Sequence, residues 1–255
     1  MNKILLSGSK GFLGSKFNYS KYTGSKFFFA KNYIELEKLC KKKKYDLLIH
    51  FGSSNRGTSS TEEVILKNII NFENIIKLKP FKKLLFISTD GVTKLINKNK
   101  NLNINPYVIS KLLIEQMIKE NYKKYKFEFV ILRLNTVISF GSKKKNLFYN
   151  LEKNNKFNLF IPNEIDYNLM TQEQVNYIIF DIVNNWKNYK NKVSKVMSNE
   201  TLGNDKLLKI LKKLKIKYKI TKTKSKNDIE KIIKIKNKNI MENSIYEIKK
   251  KKKKN

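Results

Sequence analysis

A tyrosine and a lysine at the start of one predicted helix are the residues of this chain best suited to proton transfer. Tyr107 and Lys111 stand in the pattern Y-x-x-x-K, and a separation of four residues places both side chains on one face of a helix. A nearby ammonium stabilises a tyrosinate and lowers the pKa of the phenol. We therefore expect Tyr107 to exchange a proton with a hydroxyl or carbonyl group near neutral pH.

Position along the chain, rather than the motif, distinguishes Tyr107 from the other tyrosines. Further tyrosines with a lysine four residues later are Tyr22, Tyr122, Tyr149, Tyr218 and Tyr246. Tyr107 follows an apolar run that ends at Ser88 and Thr89. Ligands of open parallel sheets bind beyond the carboxyl ends of the strands, so we expect the Thr89 hydroxyl to polarise a substrate oxygen. The alternative is an exposed tyrosine at the start of a surface helix.

Three glycines directly after the first apolar run have the spacing of a phosphate-binding turn. Gly8, Gly11 and Gly14 form G-x-x-G-x-x-G, and the whole chain has only nine glycines. A strand that leads through such a turn into a helix brings backbone N–H groups and the positive end of the helix dipole close to a pyrophosphate. We therefore predict a dinucleotide site here, with an ordinary glycine-rich turn as the alternative.

Strands and helices alternate along the first half of the chain. The predicted strands are 4–6, 27–30, 47–49, 84–87 and 129–132. The predicted helices are 33–43, 62–78, 107–122, 172–186 and 204–214. This alternation predicts an α/β fold, in which helices cover both faces of a parallel sheet.

The composition indicates a folded, soluble chain without a metal site. Hydrophobic residues make up 40% of the 255 residues, which is enough for a core. Cys40 and His50 are the only cysteine and the only histidine, which excludes a disulfide framework and a metal site built from several such residues. No apolar run reaches the roughly 20 residues of a membrane span, and the start turns polar too early for a signal peptide. We expect a cytoplasmic protein.

The net charge is +34, because the chain has 55 Lys and Arg against 21 Asp and Glu. Such a charge suggests a nucleic-acid partner, but the kind of basic residue argues against one. The chain has two arginines, Arg56 and Arg133, whereas proteins that read bases or bind phosphates usually use arginine. The abundant lysine, asparagine and isoleucine all have A/T-rich codons, so genome composition is the simpler explanation. We predict no specific nucleic-acid partner, and keep a general polyanion-binding protein as an alternative.

Several segments together resemble the extended short-chain dehydrogenase/reductase family, in its NAD-dependent epimerase/dehydratase branch. They are 3–14, 46–53, 85–90, 106–111 and 131–134, with weaker likeness at 170–175 and 198–201. The resemblance implies a Rossmann-type doubly wound parallel sheet with a small C-terminal substrate-binding region.

The same resemblance implies domain boundaries and an oligomeric state. Residues 1–140 would form the dinucleotide-binding domain and 141–245 mostly the substrate-binding region, with helix 172–186 returning to the first domain. The lysine-rich residues 246–255 are predicted to be a basic, disordered tail. Helices 62–78 and 107–122 would pair two copies into a homodimer.

A cofactor, a substrate class and individual roles also follow from the resemblance. It implies NAD or NADP as the cofactor and a nucleotide-activated sugar as the substrate. Tyr107 would donate and accept the proton, Lys111 would hold the nicotinamide ribose and tune Tyr107, and Thr89 would bond the reacting oxygen. The residues expected to bind the cofactor are Gly8, Gly11, Phe12, Leu13, Gly14, Lys31, Phe51, Gly52, Ser53, Ser88, Tyr107 and Lys111. Asn68 would be structural or lie near the cofactor, and His50 would serve packing.

The chain departs from the family pattern in several places, three of which bear on the cofactor and the reaction. Lys31 stands where the family usually has an acid on the adenosine ribose; this weakens an assignment to NAD and lets Lys31 meet the 2′-phosphate of NADP. Segment 15–25 is short and polar for the usual first helix. Gly91 stands where dehydratases carry a glutamate, so a 4,6-dehydratase is not expected.

Two functions therefore remain open within the resemblance. One is an NAD(P)-dependent epimerase or 4-keto reductase of a nucleotide-activated sugar, working by hydride transfer. The other is a non-catalytic dinucleotide-binding regulator or degenerate family member, suggested by the missing acid and the short first helix.

Overall fold

The computed structural model describes residues 2–53, 61–96, 106–138, 156–162, 169–198, 217–223 and 231–235. In these ranges the strands are β1 (Asn2–Ser7), β2 (Ser25–Ala30), β3 (Tyr45–His50), β4 (Phe81–Thr89), β5 (Glu128–Leu134), β6 (Thr136–Ile138), β7 (Lys156–Pro162), β8 (Leu169–Thr171), β9 (Lys192–Ser198), β10 (Lys217–Thr223) and β11 (Lys231–Ile235). The α-helices are α1 (Tyr33–Lys42), α2 (Thr61–Lys77), α3 (Gly91–Ile96), α4 (Pro106–Tyr125), α5 (Gln172–Asn184) and α6 (Trp186–Tyr189).

Seven of these strands form one sheet, in the order β11-β9-β5-β4-β3-β1-β2. Every neighbouring pair in the sheet is parallel. The order reverses direction between β1 and β3, as in a doubly wound sheet, so the predicted Rossmann-type α/β fold is confirmed. Two smaller parallel pairs, β6 with β8 and β7 with β10, lie outside this sheet.

The alternation of side chains along each strand divides the core into two layers. Ile4 and Leu6 of β1 point to one face, where they share an apolar cluster with Val175 and other residues of α5. Leu5 of β1 and Leu48 of β3 point to the opposite face and pack with α1, α2 and α4. Because both faces are covered, the central strands are apolar almost throughout rather than alternating.

The chain between β1 and β2 contains no α-helix. It runs instead through two 3-10 turns, Gly14–Lys16 and Tyr19–Lys21. The aromatic rings of Phe17 and Tyr22 pack against each other and against Phe27 of β2, and both residues are buried. These rings therefore cover the face of β1 and β2 that the first helix of such a fold would cover.

Helix α5 holds this irregular segment in place. The side-chain amide of Gln172 donates to the backbone oxygen of Phe12, and that of Asn176 donates to the backbone oxygen of Lys16, 2.8 Å away. A capping box formed by its N-cap threonine fixes where the helix begins. Helix α5 thus connects the distant C-terminal half of the chain to the glycine turn.

Other sequence predictions fall partly outside the described residues. The boundaries at 140 and 245, the helix at 204–214 and the tail at 246–255 all lie outside the described ranges. Within those ranges, no helix is both long enough and apolar enough to cross a membrane.

Candidate active site

A cavity of about 560 Å³ opens at the carboxyl ends of β1 to β5. Its lining residues are Ser7, Gly8, Gly11, Phe12, Leu13, Lys31, Asn32, Tyr33, Leu36, His50, Phe51, Gly52, Ser53, Ile87, Ser88, Thr89, Tyr107, Lys111, Leu134, Asn135 and Val137. The three predicted catalytic residues, Thr89, Tyr107 and Lys111, thus share one cavity with the glycine turn. All residues predicted to bind a cofactor line it except Gly14.

The glycine turn is shaped by backbone approaches that leave no room for side chains. Gly8 has a φ of +68°, and a Cβ added there would lie 2.8 Å from the backbone nitrogen of Gly52. A Cβ on Gly14 would lie 2.2 Å from the Gly8 oxygen. Gly14 therefore packs beneath the turn instead of lining the cavity. The Gly11 amide closes the turn by donating to the Gly8 oxygen at 2.8 Å.

Lys111 lies deep beneath the tyrosine that it was predicted to accompany. It is 1% exposed, and its ammonium donates to the backbone oxygen of Ile87 at 2.8 Å. The same nitrogen lies 4.4 Å from the centre of the Phe86 ring and 5.7 Å from the centre of the Tyr107 ring. One turn of α4 therefore brings the phenol and the ammonium to the same wall of the cavity, as their spacing predicts.

The pKa of Tyr107 shifts in the direction opposite to the prediction. Burial raises the pKa of its phenol above the ordinary value, and a hydrogen bond with the Ser53 side chain lowers it in part. The expectation of a net lowering by Lys111 is therefore wrong, because the loss of water around the buried phenol is the largest effect on its pKa. Ser53, predicted as a cofactor contact, is a partner of the tyrosine.

Thr89 ends β4 at the rim of the cavity. Its side-chain oxygen accepts a hydrogen bond from the Gly91 amide at 3.3 Å, which orients the side chain. The register pairs Thr89 with Leu134 of β5, another lining residue. The carboxyl ends of β4 and β5 thus form one edge of the cavity, with α4 above it.

Ser88 connects the cavity to a buried ion pair that the sequence analysis missed. Its hydroxyl donates to Glu115 at 2.5 Å, and this carboxylate also accepts from the Arg133 guanidinium at 2.7 Å. Glu115 and Arg133 are 0% and 3% exposed, and Arg133 donates in addition to Thr93. No signal in the sequence separates Glu115 from the exposed acid Glu120 on the same helix.

His50 lies in a closed hydrogen-bond chain at the floor of the cavity. Its Nδ1 is 2.7 Å from the Ser7 hydroxyl and its Nε2 is 3.3 Å from the Tyr33 hydroxyl. Its ring packs between Phe72 and Phe86, at centroid distances of 5.0 and 5.7 Å. The predicted packing role agrees with these contacts, and the hydrogen bonds add a polar role that the sequence did not indicate.

The imidazole of His50 is neutral at physiological pH. It is fully buried, and the loss of hydration lowers its pKa from 6.5 to about 3, with a smaller contribution from the Lys111 charge. A neutral ring accepts at one nitrogen and donates at the other, which suits the two hydroxyl partners.

Asn68 ties two helices together behind the site. Its side-chain nitrogen donates to the Ser110 hydroxyl at 3.1 Å, and Ser110 donates to the backbone oxygen of Tyr107 at 2.8 Å. Asn68 is buried and does not line the cavity. The sequence left open whether Asn68 is structural or lies near the cofactor, and its contacts match the structural role.

The charged side chains that line the described part of the cavity are both lysines, Lys31 and Lys111. The acid nearest in sequence to Lys31 is Glu35, which instead accepts from the Lys31 amide at 2.9 Å and lies 3.7 Å from its ammonium. The cavity therefore presents positive charge and backbone dipoles, which favour an anionic ligand. Among the described residues, no group of three or more His, Cys, Asp or Glu could hold a metal ion.

Comparison with known proteins places the chain in a class and then in a family. The sheet order and the cavity at its carboxyl edge are those of Rossmann-type α/β proteins. Residues 30–156, about half of the chain, match the NAD dependent epimerase/dehydratase family. The chain belongs to this family.

Individual relatives agree with this family at low identity. A dTDP-D-glucose 4,6-dehydratase from Dictyostelium discoideum is 26% identical over 213 residues, and the match covers 61% of this chain. The chain spans about half the length of that curated relative, 49%.

Solved structures resemble the whole fold. The UDP-glucuronic acid 4-epimerase from Bacillus cereus, solved with NAD, has a TM-score of 0.71 at 17% identity, over 91% of this chain and 89% of that one. The UDP-glucose 4-epimerase from Thermotoga maritima has a TM-score of 0.68 at 17% identity, over 89% of both chains. RMD from Pseudomonas aeruginosa, solved with NADPH, has a TM-score of 0.67 at 14% identity, over 97% of both.

His50 is expected to make the protein sensitive to acid. In the unfolded chain His50 binds a proton below about pH 6.5, whereas in the native protein it binds one only near pH 3. The protein therefore loses stability as the pH falls from 6.5 to 3. The free energy of unfolding is measured by urea titration at several pH values between 6 and 4. For each unit by which the pH is lowered, the wild type should lose about 1.4 kcal/mol more than His50→Asn. Equal slopes would show that His50 is protonated in the native state.

Glu115→Gln is expected to destabilise the protein by about 3–5 kcal/mol, because it leaves the Arg133 charge buried and unneutralised. The double variant Glu115→Leu/Arg133→Met should recover more than half of that loss, because it removes both charges. Glu37→Gln breaks an exposed pair with Lys41 and should cost less than about 1 kcal/mol. Urea unfolding measures all three, and equal costs at Glu115 and Glu37 would contradict the structural role.

Proposed function

We propose that this chain is an NAD(P)-dependent enzyme that acts on a nucleotide-activated sugar, as an epimerase or a 4-keto reductase. The observation that carries the proposal is the convergence of Thr89, Tyr107 and Lys111 in one cavity with the glycine turn. Relatives of the same fold are named as nucleotide-sugar epimerases and dehydratases. A cytoplasmic location stays a prediction from the sequence.

The cavity residues fit a dinucleotide. A Cβ on Gly8 would lie 2.8 Å from the Gly52 nitrogen and one on Gly11 would lie 3.0 Å from the Gly8 oxygen, so side chains there would distort the turn whose backbone would meet a pyrophosphate. At the opposite end, Lys111 would hold the nicotinamide ribose and Phe51 and Gly52 would line the dinucleotide. When bound, the nicotinamide ring supplies a hydride acceptor or donor, and the protein supplies position and proton transfer.

Tyr107 would carry the proton in either direction of the reaction. When a sugar hydroxyl is oxidised, the tyrosinate oxygen takes the hydroxyl proton while the C–H hydrogen leaves the sugar carbon as hydride. When a ketone is reduced, the phenol returns that proton to the carbonyl oxygen. Thr89 would hold the same sugar oxygen, and Ser53 would stabilise the tyrosinate by donating its hydroxyl hydrogen.

Two contacts argue against an elimination reaction at this site. The Asp90 carboxylate forms an ion pair with the Lys195 ammonium, 2.8 Å away, and does not line the cavity. A Cβ at position 91 would lie 2.9 Å from a methyl group of Val108 on α4. A glutamate therefore fits after Asp90 only if the Val108 side chain shifts, and Val108 is the neighbour of Tyr107 on α4.

The non-catalytic alternative is favoured by one observation, the replacement of the first helix by 3-10 turns. That loss affects only the glycine-turn end of the cavity. The buried Lys111 and the hydrogen-bonded Tyr107 at the other end match an active enzyme better than a binding protein, because a binding site does not require a proton donor beside a buried ammonium.

We also propose a homodimer through α2 and α4. The two helices pack side by side, joined through Asn68 and Ser110. Leu66 and Ile70 of α2 are 55% and 50% exposed, and Leu113 of α4 is 42% exposed. These side chains give the helix pair an apolar outer surface, and a second copy of the same pair would bury it.

Tyr107→Phe is expected to lower kcat about 100-fold or more, because it removes the group that moves the proton. Binding of NADPH, followed by its fluorescence, should change little. Tyr177→Phe, on the exposed side of α5, is the matched control and should leave kcat unchanged. A Tyr107→Phe variant that keeps full turnover of every nucleotide sugar accepted by the wild type would contradict this mechanism.

Leu66→Glu/Ile70→Glu is expected to shift the protein from dimer to monomer, because it places like charges in the shared surface. Light scattering during gel filtration measures the mass. Ile34→Glu, at a residue that is 80% exposed on α1, is the control and should leave the dimer intact. A wild-type mass equal to one chain at all concentrations would refute the dimer.

A further inference from the structure

We propose that this chain holds its dinucleotide weakly at the adenosine end, so that the cofactor leaves and is replaced in every catalytic cycle. The inference rests on the proposed function and narrows it. Epimerisation returns the cofactor to its starting state, so nothing has to leave. A net reduction consumes a reduced cofactor in each cycle and needs exchange. The geometry therefore points to the reductase rather than the epimerase.

The first observation is the missing helix after the glycine turn. In a dinucleotide fold the helix that follows the turn directs its dipole and free N–H groups at the pyrophosphate. Here the turn leads into the three-residue turn Gly14–Lys16, and the Ser15 amide is already used by the Gly11 oxygen at 2.9 Å. A three-residue turn has too few aligned peptides for a comparable dipole, so the pyrophosphate meets only the turn itself.

The second observation is the chain after β2, where the adenosine ribose would lie. Lys31, Asn32 and Tyr33 line the cavity there, and none of them is an acid. Asn32 accepts the Glu35 amide at 2.9 Å, and Glu35 is itself occupied by Lys31. None of these three lining residues therefore supplies a carboxylate that could accept hydrogen bonds from the ribose hydroxyls.

The nicotinamide end is built differently. Lys111 is 1% exposed and held by Ile87, and the neighbouring Ser88 is held by the buried Glu115–Arg133 pair. These groups are fixed before any ligand binds, so little ordering is needed on binding. We therefore expect the reacting end of the cofactor to contribute more to binding than the adenosine end.

Among the described residues that line the cavity, Lys31 is the charged side chain near the adenosine end. Its side chain is 54% exposed, and its partner is the Glu35 carboxylate at 3.7 Å, a distance too long for a strong hydrogen bond. Such a lysine can turn toward an additional phosphate on the ribose. We therefore expect NADPH to bind more tightly than NADH.

In the reaction that we assign to the site, NADPH is the reductant, and it is replaced after each cycle. A 4-keto sugar gains a hydride at its carbonyl carbon from NADPH and a proton at its oxygen from the Tyr107 phenol. The products are the sugar alcohol and NADP⁺, and Tyr107 recovers its proton from solvent. A reaction that makes a keto group on a nucleotide-activated sugar must therefore supply the substrate.

The test is a retention experiment with the full chain. The protein is mixed with NADPH, titrated by NADPH fluorescence, and then desalted. We expect saturable binding in the titration and loss of NADPH on the column. The rate of loss is measured in a stopped-flow experiment with excess NADP⁺. NADPH that stays bound in molar proportion to the protein after desalting would overturn the inference.

Lys31→Ala tests the adenosine end separately. Its affinity for NADPH should fall about tenfold, the loss expected for one charge-assisted hydrogen bond, while its affinity for NADH should not change. Lys41→Ala is the matched control, because Lys41 is equally exposed and paired with a glutamate four residues away but does not line the cavity. Equal losses for both nucleotides would refute a role for Lys31.

The experiment distinguishes an error in the proposed function from an error in the proposed exchange of cofactor. If neither NADPH nor NADH binds in the titration, the proposed function itself is wrong. If either binds and stays bound after desalting, only the exchange is wrong, and the epimerase is favoured. Neither result depends on knowing the sugar substrate.

Discussion

The buried contact between Glu115 and Arg133 is the constraint on which the arrangement of the reacting groups depends. It joins α4 to β5, and through the Ser88 hydroxyl it also joins α4 to β4. A carboxylate and a guanidinium that are nearly inaccessible to water must stay paired, because either charge alone would be very unfavourable there. Helix α4 can therefore occupy only one register on the sheet, and that register places Tyr107 and Lys111 in the same cavity as Thr89.

The sequence could predict the sheet and the meeting of Thr89, Tyr107 and Lys111 in one cavity because both depend on simple regularities. Each buried strand is an apolar run, and the carboxyl ends of parallel strands meet at one edge. Thr89 ends such a run, and Tyr107 begins the helix that follows. Their meeting in one cavity requires only that the alternation of strands and helices be interpreted correctly, and no single side-chain contact enters that inference.

What the sequence could not predict depends on neighbours that are distant along the chain. The pKa of Tyr107 follows from its burial beside Ser53, and the role of Ser88 follows from an acid on α4. The polar role of His50 follows from hydroxyls on β1 and α1. Each is a property of a folded contact, so the residue types give no sign of it. The missing first helix was visible only as a short, polar segment.

The two ends of the cavity also differ in how well they tolerate the loss of a helix. Burial of apolar surface has no required direction, so the rings of Phe17 and Tyr22 can cover β1 and β2 as well as a helix would. Binding of an anion by a helix end has a strict direction, since it needs several parallel N–H groups. The fold can therefore survive the replacement of the first helix by aromatic side chains, whereas the proposed binding of a pyrophosphate would be weakened by the same replacement. A site altered in this way retains its reacting groups and loses affinity for the part of the cofactor that takes no part in the reaction.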